Sequence, residues 1–354
     1  CCLLLALLLC LALTGCGSEE KLELNVYNWG EYISDGSEDS LDTIQAFEDW
    51  YKQTYGVSVK VNYDTYASNE DLYAKLKSGG VSYDVIIPSD YMIARMAQED
   101  MLLPLNFDNI PNYQYIKDDF KGLYYDAEDT YSVPYTYGIV GVIYDANQVD
   151  EADATGWELM WNEKYSGKIL QFNNSRDAFG TAMYMDGLDV NNEDPAVWDD
   201  ALETLLRQRP LVKSYVMDEI YNMMESGEAA IGAYYAGDYF TMLDAQADDV
   251  DLRFYYPEPT NYFIDAMCIP KGCQNQALAE CFINYMLSEE PAVANAEYIY
   301  YASPNRLVYE NADYIEEMGD ELLQLVVDVA SGKQTKAESL GYIEMAIARV
   351  CNFT

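Results

Sequence analysis

The chain has no histidine among its 354 residues. That absence removes Ser-His-Asp and Cys-His nucleophile systems, His-ligated metals and the commonest general base together. Any catalysis would have to rest on carboxylates, Lys, Tyr or Cys. Positive charge is also scarce: 20 Lys and Arg stand against 61 Asp and Glu, a net charge of −41, and the basic residues form no run. A nucleic-acid partner needs a cationic footprint for its phosphates and is not expected. The cysteines include no CxxC spacing, so a zinc site is not expected either. No Gly-rich phosphate loop, internal repeat, Pro-rich linker or low-complexity stretch interrupts the chain. Long apolar runs are confined to 3–13, LLLALLLCLAL, which at 11 residues is too short to span about 30 Å of hydrocarbon as a helix.

What is present is ample for a folded body. Half the residues are apolar, and the length suits two domains of ordinary size. The 34 tyrosines and the acidic excess supply aromatic surface and negative charge, a combination that suits a cationic ligand. The run 3–13 reads as the core of an export signal. It ends in Leu13-Thr14-Gly15-Cys16 followed by Gly17-Ser18. This resembles a bacterial lipoprotein cleavage box, with Cys16 as the lipidated new N-terminus, 1–15 as a signal lacking its basic region and initiator Met, and 16–21 as the tether. An ordinary signal in which Cys16 is incidental is the competing reading. The expected place is outside the cytoplasmic membrane, held by lipid alone. Beyond the leader remain Cys268, Cys273, Cys281 and Cys351, expected as buried free thiols although three pairings are open.

Periodicity organises the mature chain. Residues 22–28 (LELNVYN), 57–63 (VSVKVNY) and 83–89 (YDVIIPS) read as strands, with amphipathic helices at 41–51 and 70–77 between them. A βαβαβ start implies a parallel sheet flanked by helices. A second unit follows, with strands at 137–145, 168–172 and 229–235 and helices at 176–185 and 195–209. One more strand is expected at 262–270, then helices at 276–287, 291–298, 314–329 and 336–350. Open α/β sheets bind ligands beyond the carboxyl ends of their strands. Here those ends carry Asn28-Trp29-Gly30-Glu31-Tyr32 and Pro88-Ser89-Asp90-Tyr91. An interleaved two-lobe body fits this order better than two separate domains.

Eight collinear motifs sharpen the reading: YNWGEY (27–32), DTYASNEDLYAKL (64–76), YDVIIPSDY (83–91), SVPYTYG (132–138), NSRDAFG (174–180), YYAGDYF (234–240), YFIDAMCIP (262–270) and YYASPNR (300–306). Over roughly 22–310 the chain resembles the extracytoplasmic polyamine-binding proteins, the spermidine/putrescine receptors of bacterial ABC importers. The resemblance implies a type II periplasmic-binding-protein fold, α/β with two lobes, a hinge and a ligand cleft between them. It implies lobe one at 22–136 and 264–305, and lobe two at 137–263 and 306–354. The expected partners are a polyamine and a membrane permease, for a monomer without cofactor or metal.

Polyamine chemistry can be stated independently of the resemblance. Each ammonium taken from water costs several kcal/mol unless a carboxylate meets it. The methylene stretches need apolar or aromatic walls, and an aromatic face also attracts the cation by about 0.5–2 kcal/mol. Mapped onto this chain, the resemblance implies walls from Trp29, Tyr32, Tyr91, Tyr235, Phe263 and Tyr301, and anionic partners Asp177, Asp238 and Asp265. It further implies a hydroxyl acceptor at Ser89 and an amide oxygen at Asn174, with Glu31 a weaker candidate. Each has a plainer reading. Trp29 and Tyr32 could be half-buried loop aromatics, Tyr235 and Phe263 strand core, and Asp238 a helix cap. Asp177 could pair with Arg176 or stabilise a helix N-terminus. Asp265 is the sharpest, because an unpaired carboxylate inside an apolar strand is costly. Where spermidine-type members carry a carboxylate and two tryptophans, this chain has Asn174, Tyr235 and Phe263, which leaves the preferred amine open. Three other readings stay open: a receptor of this fold for ferric iron through Tyr234-Tyr235 or Tyr300-Tyr301, or for a sugar or another organic cation; a glycosidase built on two carboxylates; and an adhesive lipoprotein.

Overall fold

The computed structural model describes residues 21–192 and 194–315. The apolar run 3–13, Cys16, Cys351 and the helix expected at 336–350 lie outside these residues. So does the helix expected at 314–329, apart from its first two residues.

In chain order the elements are β1 (Leu22–Trp29), α1 (Thr43–Tyr55), β2 (Val59–Tyr66), α2 (Asn69–Lys77), β3 (Val85–Ile86), α3 (Asp90–Gln98), β4 (Ser132–Asp145), β5 (Ile169–Phe172), α4 (Ser175–Met185), α5 (Pro195–Gln208), β6 (Val212–Val216), α6 (Glu219–Glu225), β7 (Ile231–Tyr235), α7 (Ala236–Ala245), β8 (Leu252–Tyr255), β9 (Tyr262–Cys268), α8 (Gln276–Met286), α9 (Glu289–Ile299) and α10 (Arg306–Glu310). None of the described helices is long and apolar enough to cross a membrane.

The strands run β2-β1-β3-β9-β4-β7-β5-β6, with β8 also on β4. The opening βαβαβ unit is parallel as the pattern requires: β1 pairs with β2 from Leu22↔Val59 to Trp29↔Tyr66, and with β3 on its other side. β4 organises the rest. Its first part pairs antiparallel with β9, from Ser132↔Cys268 to Ile139↔Tyr262. Its second part pairs with β7 and β8, from Val140↔Tyr235 to Asp145↔Leu252. One 14-residue strand therefore belongs to both halves of the sheet, and all but Gly138 and Ile139 of it are buried. That continuous burial explains its nearly unbroken apolar character. The expected lobe limits at 136/137 and 263/264 fall inside β4 and β9, but only β4 pairs in both halves; β9 lies wholly on its first part, and the chain returns from β8 to β9 through 256–261.

The departures from the sequence reading have local causes. The strand expected at 83–89 keeps a ladder only at Val85 and Ile86, because Pro88 has no N–H to donate and the segment turns into α3. β4 starts at Ser132 and not at 137. Pro134 argues against a strand there, and the chain accommodates it with a register shift between Pro134 and Thr136. The helix expected at 41–51 runs from 43 to 55, capped by Asp42 Oδ1 accepting from the Gln45 amide at 2.9 Å and closed by Gly56 at φ 72°. The sequence reading gives no element at α3, α6, α10, β6 or β8. β6 alternates half-buried and exposed positions up to Tyr215, the weak signature of an edge strand. Cys268 is buried and unpaired, whereas Cys273 and Cys281 are free thiols only partly buried, a correction to the expectation of full burial.

Candidate functional site

The carboxyl ends of the parallel strands from both halves open onto one cavity of about 1000 Å³. β1 ends in Trp29, and β3 leads to Ser89 and Asp90. β5 leads through Asn174 into α4, which carries Asp177 in its first turn. β6 leads to Asp218, and β7 ends at Tyr235 before α7. Ten of the eleven binding residues expected from sequence line this cavity: Trp29, Tyr32, Ser89, Tyr91, Asp177, Tyr235, Asp238, Phe263, Asp265 and Tyr301. Asn174 does not. It is the N-cap of α4, its Oδ1 accepts the Asp177 amide at 2.8 Å, and its Nδ2 donates to Asp177 Oδ2 at 2.8 Å. The amide oxygen expected to meet a ligand is therefore already engaged, and Asn174 acts on the cavity through Asp177 and through Tyr235, whose hydroxyl accepts from its Nδ2 at 3.3 Å.

The three expected carboxylates differ in their surroundings. Asp265, 3% exposed on β9, accepts from the Tyr32 hydroxyl at 2.7 Å through Oδ2. Tyr32 has one hydroxyl proton, so Thr136, 2.5 Å away, donates to Tyr32 and completes a relay into the carboxylate. The register shift in β4 lies immediately before Thr136. The other oxygen, Asp265 Oδ1, is buried and receives no well-formed hydrogen bond. Burial above all, opposed by the neighbouring hydroxyls of Ser89 and Tyr32 and reinforced by Asp90 and Asp177, raises Asp265 to about 7. Asp238, in the first turn of α7, is not its N-cap, which is Tyr235. Its carboxylate takes the Tyr301 hydroxyl at 3.0 Å and that of Tyr221, and burial raises it to about 7 as well. Asp177 accepts from the Tyr235 hydroxyl at 2.6 Å and is also raised by burial. It makes no ion pair with Arg176 within 4.0 Å.

The aromatic residues form a continuous wall. Tyr235 meets Phe263 edge-on at 5.3 Å, Phe263 meets Tyr301 at 6.3 Å, and Tyr301 meets Tyr32 edge-on at 5.0 Å. Trp29 donates its indole N–H to the Ile87 carbonyl at 2.9 Å and packs on Tyr66 at 4.7 Å, which fixes the ring. Tyr91 is held by its hydroxyl donating to Glu70 at 3.1 Å. Ser89 Oγ accepts from Asn69 at 2.9 Å, so one of its lone pairs is taken. Glu31 is exposed at φ 48° and lies outside the lining.

Three lining carboxylates were missed: Asp90, Asp189 and Asp218. Asp90 follows Ser89 directly and accepts the amides of Tyr91 and Ile264 at 2.5 and 3.3 Å. Asp218 follows β6, and burial raises its pKa, helped by Glu219 and Glu31. The same strand-end rule that selected Trp29 and Ser89 points to Asp218 once β6 is known. Burial and nearby carboxylates hold the hydroxyls of Tyr234, Tyr235 and Tyr301, three of the four tyrosines considered for iron, well above the usual tyrosine value. No cluster of three or more Cys, Asp or Glu suited to a metal occurs among the described residues.

Close approach across the cavity depends on Gly237. A Cβ there would lie 2.3 Å from carbons of the Tyr301 ring. Gly237→Ala is expected to cost about 1–3 kcal/mol of stability by overpacking, read as a lower denaturation midpoint. An unchanged midpoint would mean that the Tyr301 ring is not seated there.

A family model described as bacterial extracellular solute-binding protein matches residues 42–319. The spermidine/putrescine-binding periplasmic protein 1 of Haemophilus influenzae is 32% identical over 270 residues, covering 75% of this chain and 71% of that protein. Among solved structures, the substrate-binding protein of a spermidine/putrescine ABC transporter from Streptococcus pneumoniae is 31% identical. It superimposes with a TM-score of 0.65 over 93% of this chain and 92% of the other. A lipoprotein of Treponema pallidum is 26% identical, with a TM-score of 0.68 over 82% of this chain and 88% of the other. The fold is the mixed α/β periplasmic-binding-protein fold of these neighbours.

Proposed function

The chain belongs to the bacterial extracellular solute-binding proteins, and on that premise we propose that it is a receptor that captures a polyamine between the two halves of its sheet and delivers it to an ABC-type membrane importer. The names of its relatives support the ligand class, and the family supports a binding and transport role over catalysis. The observation that carries the reading is the buried Asp265 Oδ1, a carboxylate oxygen without a donor beside a cavity walled by aromatic rings. A buried anion in that state calls for a cation with N–H groups to give. An ammonium held by Asp265 and a second held by Asp238 would leave the intervening methylenes against Phe263, Tyr301 and Tyr32. Strand β4, which pairs in both halves, together with the segment 256–261 that leads from β8 back to β9, is the natural hinge for closure. The lipobox at Cys16 and the similarity to a lipoprotein support a lipid anchor outside the cytoplasmic membrane, for a receptor acting as a monomer.

The test is a thermal-shift panel with putrescine, cadaverine, spermidine, spermine, simple sugars and ferric citrate at two salt concentrations. A ligand at 100 times its dissociation constant stabilises the fold by about 2.7 kcal/mol. A polyamine should stand out and keep its shift in high salt. Equal, salt-erased shifts for every polycation would mean that only the acidic surface responds, and would sink the reading.

A further inference from the structure

The cavity lies at the carboxyl ends of the parallel strands, and their amino ends form the opposite edge of the first half. α1 and α2 return the chain to this edge and lead directly into β2 and β3, and α3 finishes there too. Residues 52–57 and 77–81, around the ends of α1 and α2, are exposed throughout. They carry Tyr55, Val57 and Val81, which are 55%, 38% and 40% exposed. The Tyr55 ring packs on Tyr51 at 4.7 Å, so the aromatic surface continues into α1.

The same edge gathers positive charge in a chain whose net charge is −41. Lys52, Lys75, Lys77 and Arg95 stand in the last turns of the three helices, where they also complement the helix dipoles. Lys21 and Lys60 flank the starts of β1 and β2. Glu48 and Glu99 are already bridged to Lys60, Lys77 and Arg95. Lys21, Lys52 and Lys75 are exposed and pair with no described carboxylate within 4.0 Å, against the unbridged acids Glu23 and Asp49.

The covalent chain supplies an independent constraint. Cys16 precedes Leu22 by six residues, which fully extended reach at most about 21 Å. A lipid on Cys16 therefore holds the start of β1, and with it this edge, within that distance of the headgroups.

Resting on the lipid-anchor reading, we propose that the amino edge of the first half is a membrane-facing surface that docks on anionic phospholipid. Tyr55 enters the interfacial layer, and Lys21, Lys52 and Lys75 meet headgroup phosphates. The rest of so acidic a body is repelled by the same surface over a screening length of about 8 Å, which favours this orientation. The eight residues of β1, rising about 3.3 Å each, then hold Trp29 and the cavity about 23 Å farther from the lipid than Leu22.

Lysine acetylation footprinting by mass spectrometry tests this on the lipidated protein, in detergent, on phosphatidylcholine vesicles and on vesicles of phosphatidylcholine mixed with phosphatidylglycerol. Lys52 and Lys75 are expected to react at least threefold more slowly on the anionic vesicles than in detergent, while Lys168 and Lys213 of the other half are unchanged. The double variant Lys52→Glu/Lys75→Glu should lose the protection of Lys21 while still sedimenting with vesicles and binding ligand as the parent does. Equal protection on both kinds of vesicle, or protection spread over both halves, overturns the docking surface and leaves the anchor standing. Protection of the same lysines in Cys16→Ser without vesicles, rising with protein concentration, marks a contact between copies and overturns it as well. Failure of the parent to associate with any vesicle overturns the lipid-anchor reading, and the surface with it.

Discussion

Asp265→Asn lowers polyamine affinity by about 3 kcal/mol, roughly 150-fold, because the amide leaves a desolvated ammonium without its counter-charge. The substitution keeps the side-chain volume and the Asn oxygen can still accept from Tyr32, so the relay from Thr136 survives. The empty protein is not expected to suffer. Removing a buried carboxylate with one orphaned oxygen relieves a desolvation cost, so its denaturation midpoint stays level or rises. Loss of binding without loss of stability is the signature of a ligand partner as opposed to a structural one. Calorimetry that found the variant within threefold of the parent would remove Asp265 from the site.

The second large effect is on pH. Asp238 and Asp265 both lie near 7 in the empty protein, raised chiefly by burial, and the charge of Asp265 adds to the rise at Asp238. A polyamine carries mostly protonated amines in the neutral range and binds the ionised carboxylates. Affinity is therefore expected to fall by at least about 100-fold from pH 8 to pH 5.5, with proton release on binding in the neutral range. Stability of the empty protein moves the other way. A carboxyl raised above its unfolded value of about 3.9 lets the folded state hold a proton that the unfolded chain releases. That contribution is complete below the unfolded value and is lost as pH rises through about 7. The empty protein should thus melt higher at pH 5.5 than at pH 8, while the ligand-induced shift shrinks. Constant affinity across this range would mean that the ligand does not meet these two carboxylates.

Much of the site was legible because the βαβ pattern and the strand-end rule work on local sequence. Residues 22–28 and 57–63 alternate cleanly, and the turns after the first and third strands carry the aromatic and hydroxyl residues that line the cavity. What escaped depends on partners distant in sequence. The half-polar VKSYV hid β6 and with it Asp218. Pro134 masked the start of β4, and so the shift that precedes Thr136. Asn174 resembled a ligand contact by position, but its role is decided by a capping geometry that only the fold reveals. The place of Arg176 on Tyr91 joins residues 85 apart in sequence, one on each half, which no periodicity encodes.

The turn after β1 and the residue after β6 meet at close quarters: a methyl group on Gly30 would lie 2.6 Å from Asp218 Oδ2, and the neighbouring Glu31 adds its field to Asp218. These groups come from strands in opposite halves, as do Asp238 and Asp265. Bringing the halves together without cargo therefore presses like charges on one another or forces proton uptake. If the proposed receptor closes on its ligand, a bound cation offsets this repulsion, so the same carboxylates that hold the ligand set how strongly binding and closure are coupled.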